Sequence, residues 1–158
     1  MPQLLDFVRP DASVPRLRGP DRSAVINELL ESLVSSGAAP VDLHSELLEA
    51  ARRREEQGST GFGNGIAVPH IRHPQLHQIS AAIGLTSDGI DFNALDQRPV
   101  QIVILLMSPQ GDNESHINAM NALFMHLNRP DFRDALRRAG TAEEIRGILE
   151  AADTQPAA

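Results

Sequence analysis

Apolar positions recur along this chain with two different periods, and the switches between them mark out the elements. Ile26, Leu29, Leu30, Leu33 and Val34 repeat at helical spacing, so a helix is expected from Arg22 to about Ser36, with Asp21 as N-cap and Gly37 as C-cap. A second helix is expected over Leu43 to Gln57. Asp42 would cap it, Leu43, Leu47, Leu48 and Ala51 would form its buried stripe, and Gly58 would stop it. The pattern then changes. Ile66 to Val68 reads as a short strand ended by Pro69, which has no N–H for a ladder. Ile79 to Thr86 reads as another strand, and Val100 to Met107, apolar except at Gln101 and rich in β-branched residues, as a buried central one. The polar stretch Ile71 to His77 is expected to be a connection, and Gly89 to Arg98 reads as turns with room for a short strand.

Helical spacing returns after residue 111. Asp112 or Asn113 would cap a helix to about Asn128, with Ile117, Met120, Leu123, Phe124 and Leu127 facing the core. Pro130 suits the first turn of a helix over Asp131 to Arg138, ended by Gly140, and Thr141 with Glu144 forms a capping box for Ala142 to Ala151. At the ends, Gln3 to Val8 reads as a short helix or turn and Val14 to Leu17 as a short edge strand. The tail Asp153 to Ala158 is expected to be loose. Helices interleave with strands, so the expected class is α/β: a single three-layer domain over 1–158, with a mixed β-sheet flanked by helices and an N-terminal segment over 1–20.

Composition narrows the chemistry. The chain has 158 residues, 41% of them apolar, and no cysteine, which excludes disulfides, thiolate metal sites and cysteine catalysis. Its formal charge is −7, all 14 basic residues are Arg, and only 3% of residues are aromatic. That balance lacks the basic footprint and stacking platforms of a nucleic-acid binder, and without Lys there is no Schiff-base chemistry and no P-loop lysine. The run Val100 to Met107 is too short to span a bilayer, so a cytoplasmic protein with no direct membrane insertion is expected.

Candidate chemistry gathers at Gly58 to His70. Gly58, Gly61, Gly63 and Gly65 permit positive φ and close backbone approach, so successive N–H groups can face one anion. The alternative is a plain tight turn. Gly61-Phe-Gly-Asn-Gly65 precedes a strand where a dinucleotide fingerprint follows one, which weakens a nucleotide reading. His70, His73 and His77 have a spacing compatible with a metal, but no carboxylate follows at ligand spacing and isolated surface histidines are commoner; neither a metal nor another cofactor is expected. A phosphohistidine at His70 needs N–H donors, a cation and a partner ring. Ser59, Thr60, Gly61, Gly63 and Asn64 are the candidate phosphate-binding groups, Arg54 the candidate guanidinium, and His116, in the first turn of the helix after the central strand, the candidate partner. Arg52 and Arg53 read as a solvated helix end, and His44 and His126 as helix-surface residues.

The string Arg54-Glu-Glu-Gln-Gly-Ser-Thr-Gly-Phe-Gly-Asn-Gly-Ile-Ala-Val-Pro-His70 is very similar to the signature of the fructose/mannitol-type enzyme IIA domain of the bacterial phosphoenolpyruvate-dependent phosphotransferase system. The similarity continues through Gly89-Ile-Asp-Phe-Asn-Ala-Leu-Asp96, Arg98-Pro-Val100, the apolar strand to Met107 and Ser115-His116. This resemblance implies that His70 accepts phosphate from the phosphocarrier protein HPr or its nitrogen-branch relative on Nε2. It implies that His116 is the second active-site His and Arg54 its nearby Arg. The phosphate would pass to a IIB component, or be held as a signal read by regulatory target proteins. The loop sequence before the active strand looks more like the nitrogen-regulatory branch; a free-standing IIA for sugar uptake and a non-phosphorylated binding module are the alternatives. One departure stands out: Ile71 occupies a position where the family has a small residue, often Gly, and a β-branched side chain there is expected to restrict the backbone and narrow access.

Overall fold

The computed structural model describes residues 2–155. Ten elements follow one another: α1 (Arg22–Ser35), α2 (His44–Gln57), β1 (Gly61–Gly63), β2 (Ile66–Ala67), β3 (His70–His73), β4 (Ser80–Ile90), β5 (Val100–Pro109), α3 (Asn113–Leu127), α4 (Pro130–Arg138) and α5 (Ala142–Asp153). The strands form one mixed sheet. β5 is its spine, antiparallel to β4 on one edge and parallel to β2 and β3 on the other, while β1 pairs antiparallel with β2.

Strand alternation divides the core into two layers. Val103, Leu105 and Met107 of β5, with Ala82 and Ile71, pack against α1 and α2. Ile102, Ile104 and Leu106, with Ala81 and Ile83, pack against α3, α4 and α5. The sheet therefore lies between two helical layers, the three-layer α/β architecture that the interleaved pattern implies.

Ile71 to His73 is a strand, not a connection. Ile66 faces Ile102 and His70 faces Leu106 with one constant register, so β2 and β3 are a single line of chain along β5, interrupted only at Val68 and Pro69. Proline cannot donate there, yet its carbonyl accepts from Leu106 N at 2.9 Å and keeps the line in register. A polar strand next to a buried spine escapes a hydropathy reading because only Ile71 in it is apolar.

Several caps form as expected. Asp21 accepts from Ala24 N and Asp112 from Ser115 N, while Thr141 accepts from Glu144 N. Asp42 does not cap α2: it lies in a 3₁₀ turn, Val41–Leu43, that leads into the helix, and no side chain caps that end. The Glu144 carboxylate reaches Gly140 N, so the capping box is not closed on Thr141. The N-terminal segment forms a 3₁₀ turn at Leu4–Asp6, and Val14 makes a single parallel bridge to Gly84 where a short strand was expected. Asp153 is not loose. It ends α5, and its carboxylate accepts from Leu4 N at 2.7 Å and Leu5 N at 3.0 Å, which ties the two ends of the chain together. The last three positions of the expected tail, 156–158, lie outside the described residues. No helix among the described residues is long and apolar enough to cross a membrane.

Candidate functional site

Pro69 interrupts the strand just before His70, and the interruption leaves the Val68 carbonyl free to turn inward. That oxygen lies 2.8 Å from His70 Nδ1. A carbonyl only accepts, so Nδ1 carries the hydrogen and Nε2 keeps its lone pair. Arg54, in the last turn of α2, donates its Nε–H to this Nε2 at 3.1 Å, and its Nη1 donates to the Gly58 carbonyl at 2.8 Å. The helix end thus holds its own guanidinium over the ring.

His116 brings a second imidazole to the first. It sits in the first turn of α3, its ring centroid 5.6 Å from that of His70 and inclined at 62°. Ser108, buried near the end of β5, meets His116 Nδ1 at 2.7 Å through its hydroxyl. Arg54, His70 and His116 are therefore brought together, from a helix end, a strand and a helix start.

Arg72 belongs to this group and was not singled out from the sequence. Two residues beyond His70 in β3, it shares the His70 face. Its Nη1 donates to Asn113 Oδ1 at 2.7 Å and its Nη2 to the Pro109 carbonyl at 3.1 Å, while its buried Nε has no partner among the described residues. The period-2 rule would have placed it beside His70 had residues 70–73 been read as a strand.

These surroundings keep both rings neutral near pH 7. Burial lowers the His70 pKa most; the Val68 carbonyl opposes this, and the Arg54 and Arg72 charges add to it. His116 is pushed down to about 4, by burial first, then by Arg72 and His70. The result is a neutral imidazole with the charges of two guanidinium groups, Arg54 and Arg72, acting on it.

The glycine loop is shaped by its own turn and by bonds to its neighbours. Asn64 (φ 58°) and Gly65 (φ 77°) form the two-residue turn of the β1–β2 hairpin, for which two positive φ angles are the requirement. Gly61 is needed for close approach, because a Cβ there would lie 2.8 Å from Ala94 Cβ. Ser59 donates to the Phe92 carbonyl and accepts from Gly61 N at 2.9 Å. Thr60 is fully buried, with its hydroxyl bonded to Glu55 and its N–H directed there at 3.4 Å. Asn64 N donates to Asp96 Oδ2 at 3.1 Å, and Gly63 lies between these committed groups in β1. No hydrogen bond among the described residues links this loop to His70. Its groups are occupied in shaping the hairpin, and Glu55, itself buried and bonded to Arg22, anchors the loop to the turn of helix that carries Arg54.

The other histidines go elsewhere. His73 points to the α2 face, where Nε2 is 2.9 Å from Glu46 Oε2, and His77 is exposed. Among the described residues, no group of His, Asp and Glu could hold a metal ion. His44 bonds Asn27 at 2.9 Å. His126 is not on the surface: it is 5% exposed, stacked at 5.6 Å against Phe132, and its pKa is lowered chiefly by burial. Ile71 is 1% exposed and packs into the α1–α2 layer, on the face opposite His70. It does not narrow access to the ring.

The model of the family described as phosphoenolpyruvate-dependent sugar phosphotransferase system, EIIA 2, matches residues 7–152. The chain belongs to this family. This EIIA chain is 35% identical to a nitrogen regulatory protein of Pseudomonas aeruginosa, over 94% of its own length and 96% of that protein's. It is 31% identical to the fructose-specific EIIABC component of Bacillus subtilis, covering 84% of this chain and 21% of that larger protein. Its fold matches the crystal structure of the nitrogen regulatory protein IIA-Ntr from Neisseria meningitidis with a TM-score of 0.81 and 27% identity, over 91% of this chain and 97% of that one.

Proposed function

We propose that this EIIA chain is a phosphohistidine carrier in which His70 Nε2 accepts a phosphoryl group from HPr or an HPr-like phosphocarrier. One observation carries the reading: the Val68 carbonyl fixes the hydrogen on Nδ1 and leaves Nε2, the only ring nitrogen with a free lone pair, beside a guanidinium. In the transfer, the Nε2 lone pair forms the new N–P bond as the donor's N–P bond breaks, and Nδ1 keeps its proton. No general base is required.

The phosphoryl oxygens would carry close to two negative charges, by analogy with other phosphorylated side chains, on a ring that turns cationic while Nδ1 keeps its proton, so the site gains about one net negative charge. Arg54 must release Nε2 for the attack, and its Nε–H is then available to a phosphoryl oxygen. Arg72 supplies the second guanidinium through its unpartnered Nε. With the Ser108 hydroxyl donating to His116 Nδ1, Nε2 of His116 carries the hydrogen and can donate as well, at the positive end of α3. Next to His116 in α3, exposed Ile117 offers the phosphocarrier an apolar contact to dock against.

The full-length relationship to nitrogen regulatory proteins favours a regulatory IIA, whose phosphorylation state alters its choice of target. Sugar uptake through a IIB component is the second reading, favoured by similarity to the fructose-specific components of Bacillus subtilis and Haloferax volcanii. Long-range ¹H–¹⁵N correlation of the phosphorylated protein tests the chemistry: phosphorus should appear on Nε2 of His70, and phosphorus on any other nitrogen refutes the assignment. Incubation of the phosphoprotein with IIB then separates the two roles, since rapid loss of label supports uptake and retention supports regulation.

A further inference from the structure

A cleft of about 850 Å³ opens at the far end of the sheet, between the segment Pro15 to Arg18, the end of β4 and the end of α4. Gln101 of β5 lines it, whereas His70 faces Leu106 of the same strand, so roughly 16 Å of strand separates cleft from ring. Arg16, Arg18 and Arg137 line the cleft with one acidic residue, Asp88, and among the described residues only Arg137 of the three is paired, with Asp134 at 3.3 Å.

That excess of positive charge is unusual in a chain of net charge −7. Other arginines find acids: Arg22 pairs with Glu55, Arg53 with Glu49 and Arg129 with Asp131. The Arg16 and Arg18 guanidinium groups have no carboxylate within ion-pair distance among the described residues. Their backbone is nevertheless fixed, because Leu17 N donates to the Leu85 carbonyl at 2.8 Å and Arg18 N to Glu28 at 2.9 Å. Arginines held on an ordered segment lose less freedom on meeting a ligand.

We propose that this cleft binds a small phosphorylated anion at a site separate from His70. The guanidinium forks of Arg16 and Arg18 match phosphate oxygens, Thr86, Ser87 and Gln101 supply further hydrogen-bonding groups, and Leu17, Leu85 and Ala139 form an apolar wall suited to an organic portion. Arg137 also donates to the Asn64 carbonyl in the hairpin turn that leads into β2. A ligand drawing on Arg137 therefore acts on the element directly before the active strand.

The test is a ¹H–¹⁵N titration of the whole protein with inorganic pyrophosphate, and separately with adenosine monophosphate, at constant ionic strength with sodium chloride as control. Saturable shifts should appear at residues 16–18, 86–88 and 101. Arg16→Ala with Arg18→Ala should weaken binding at least about tenfold. Asp88→Asn should tighten it, and His70→Ala should leave it unchanged whether or not His70 is the phosphorylated residue. Tighter pyrophosphate binding would mark the phosphate group alone as the ligand, and tighter nucleotide binding an organic phosphate; either upholds the site. Shifts confined to the surroundings of His70, shifts reproduced by chloride, or binding undiminished in the double variant would overturn it.

Discussion

Arg72 and Ser108 are Cα partners across the parallel β3–β5 ladder, and together they serve both rings of the site. Ser108 meets His116 Nδ1 at 2.7 Å, while the charge of Arg72 depresses the pKa of His70 and of His116. One rung of the sheet thus helps to orient one imidazole and to keep both neutral.

Removing that charge should have two separable effects. Arg72→Ala is expected to slow phosphoryl uptake by about 10²-fold, the scale for losing one preorganised electrostatic donor. It should also move the His116 pKa up from about 4, part of the way to its ordinary value, because burial, the larger cause, remains. Stopped-flow uptake and an imidazole NMR titration read the two effects. A slower rate with an unmoved pKa would mean that Arg72 acts only by contact.

Phosphorylation should reverse the sign of the electrostatics at His116. A nearby phosphoryl dianion favours the imidazolium, so the His116 pKa should rise in the phosphoprotein. Comparing the His116 ring signals across pH in both forms checks this, and equal titration midpoints would contradict a phosphoryl group within reach of His116.

Stability should fall on acidification through the histidines. His70, His116 and His126 all have lowered pKa values in the folded state, so below about pH 6.5 the unfolded chain binds more protons than the native one. Their contribution is complete above that pH and is lost progressively down to the folded values, which for His116 means about 4. Urea unfolding at pH 7.5 and pH 5 should show the loss, and His126→Gln should reduce it.

Glu55 is expected to matter more than its place in a charged run suggests. Glu55→Ala strands the buried Thr60 N–H and hydroxyl and should cost about 3 kcal/mol of stability. Glu55→Gln, which retains an acceptor, should cost less and restore most of the uptake rate through Arg54. Equal losses in the two variants would contradict this anchoring role.

At the docking contact, Ile117→Asp should raise the KM for HPr while leaving thermal stability unchanged, because Ile117 is 55% exposed. An unaltered KM would remove Ile117 from the interface.

The contrast between Ile117 and Leu123 shows what the sequence could and could not convey. Both fit the helical repeat of α3, but Leu123 is buried against the sheet and Ile117 lies outside it, since periodicity defines a stripe without saying how far the sheet beneath it extends. The central strand was legible because Val100 to Met107 is apolar on both faces, as burial between two helical layers demands. β3 was hidden for the opposite reason: His70 and Arg72 face the candidate site and His73 meets Glu46 of α2, which leaves Ile71 as its one apolar residue. Arg54, His70 and His116 stood out by residue type and by resemblance. Arg72 and Ser108 required the register of a strand pair, and the buried Glu55–Thr60 contact required a tertiary turn, neither of which local pattern encodes.

The most direct measurement is intact mass after incubation with phosphoenolpyruvate, enzyme I and HPr, for the wild type and for His70→Ala. Phosphorylation at His70 predicts one acid-labile phosphoryl group on the wild type and none on the variant. Uptake by His70→Ala at the wild-type level, or no uptake by a folded wild type from HPr and from its nitrogen-branch relative alike, would contradict it.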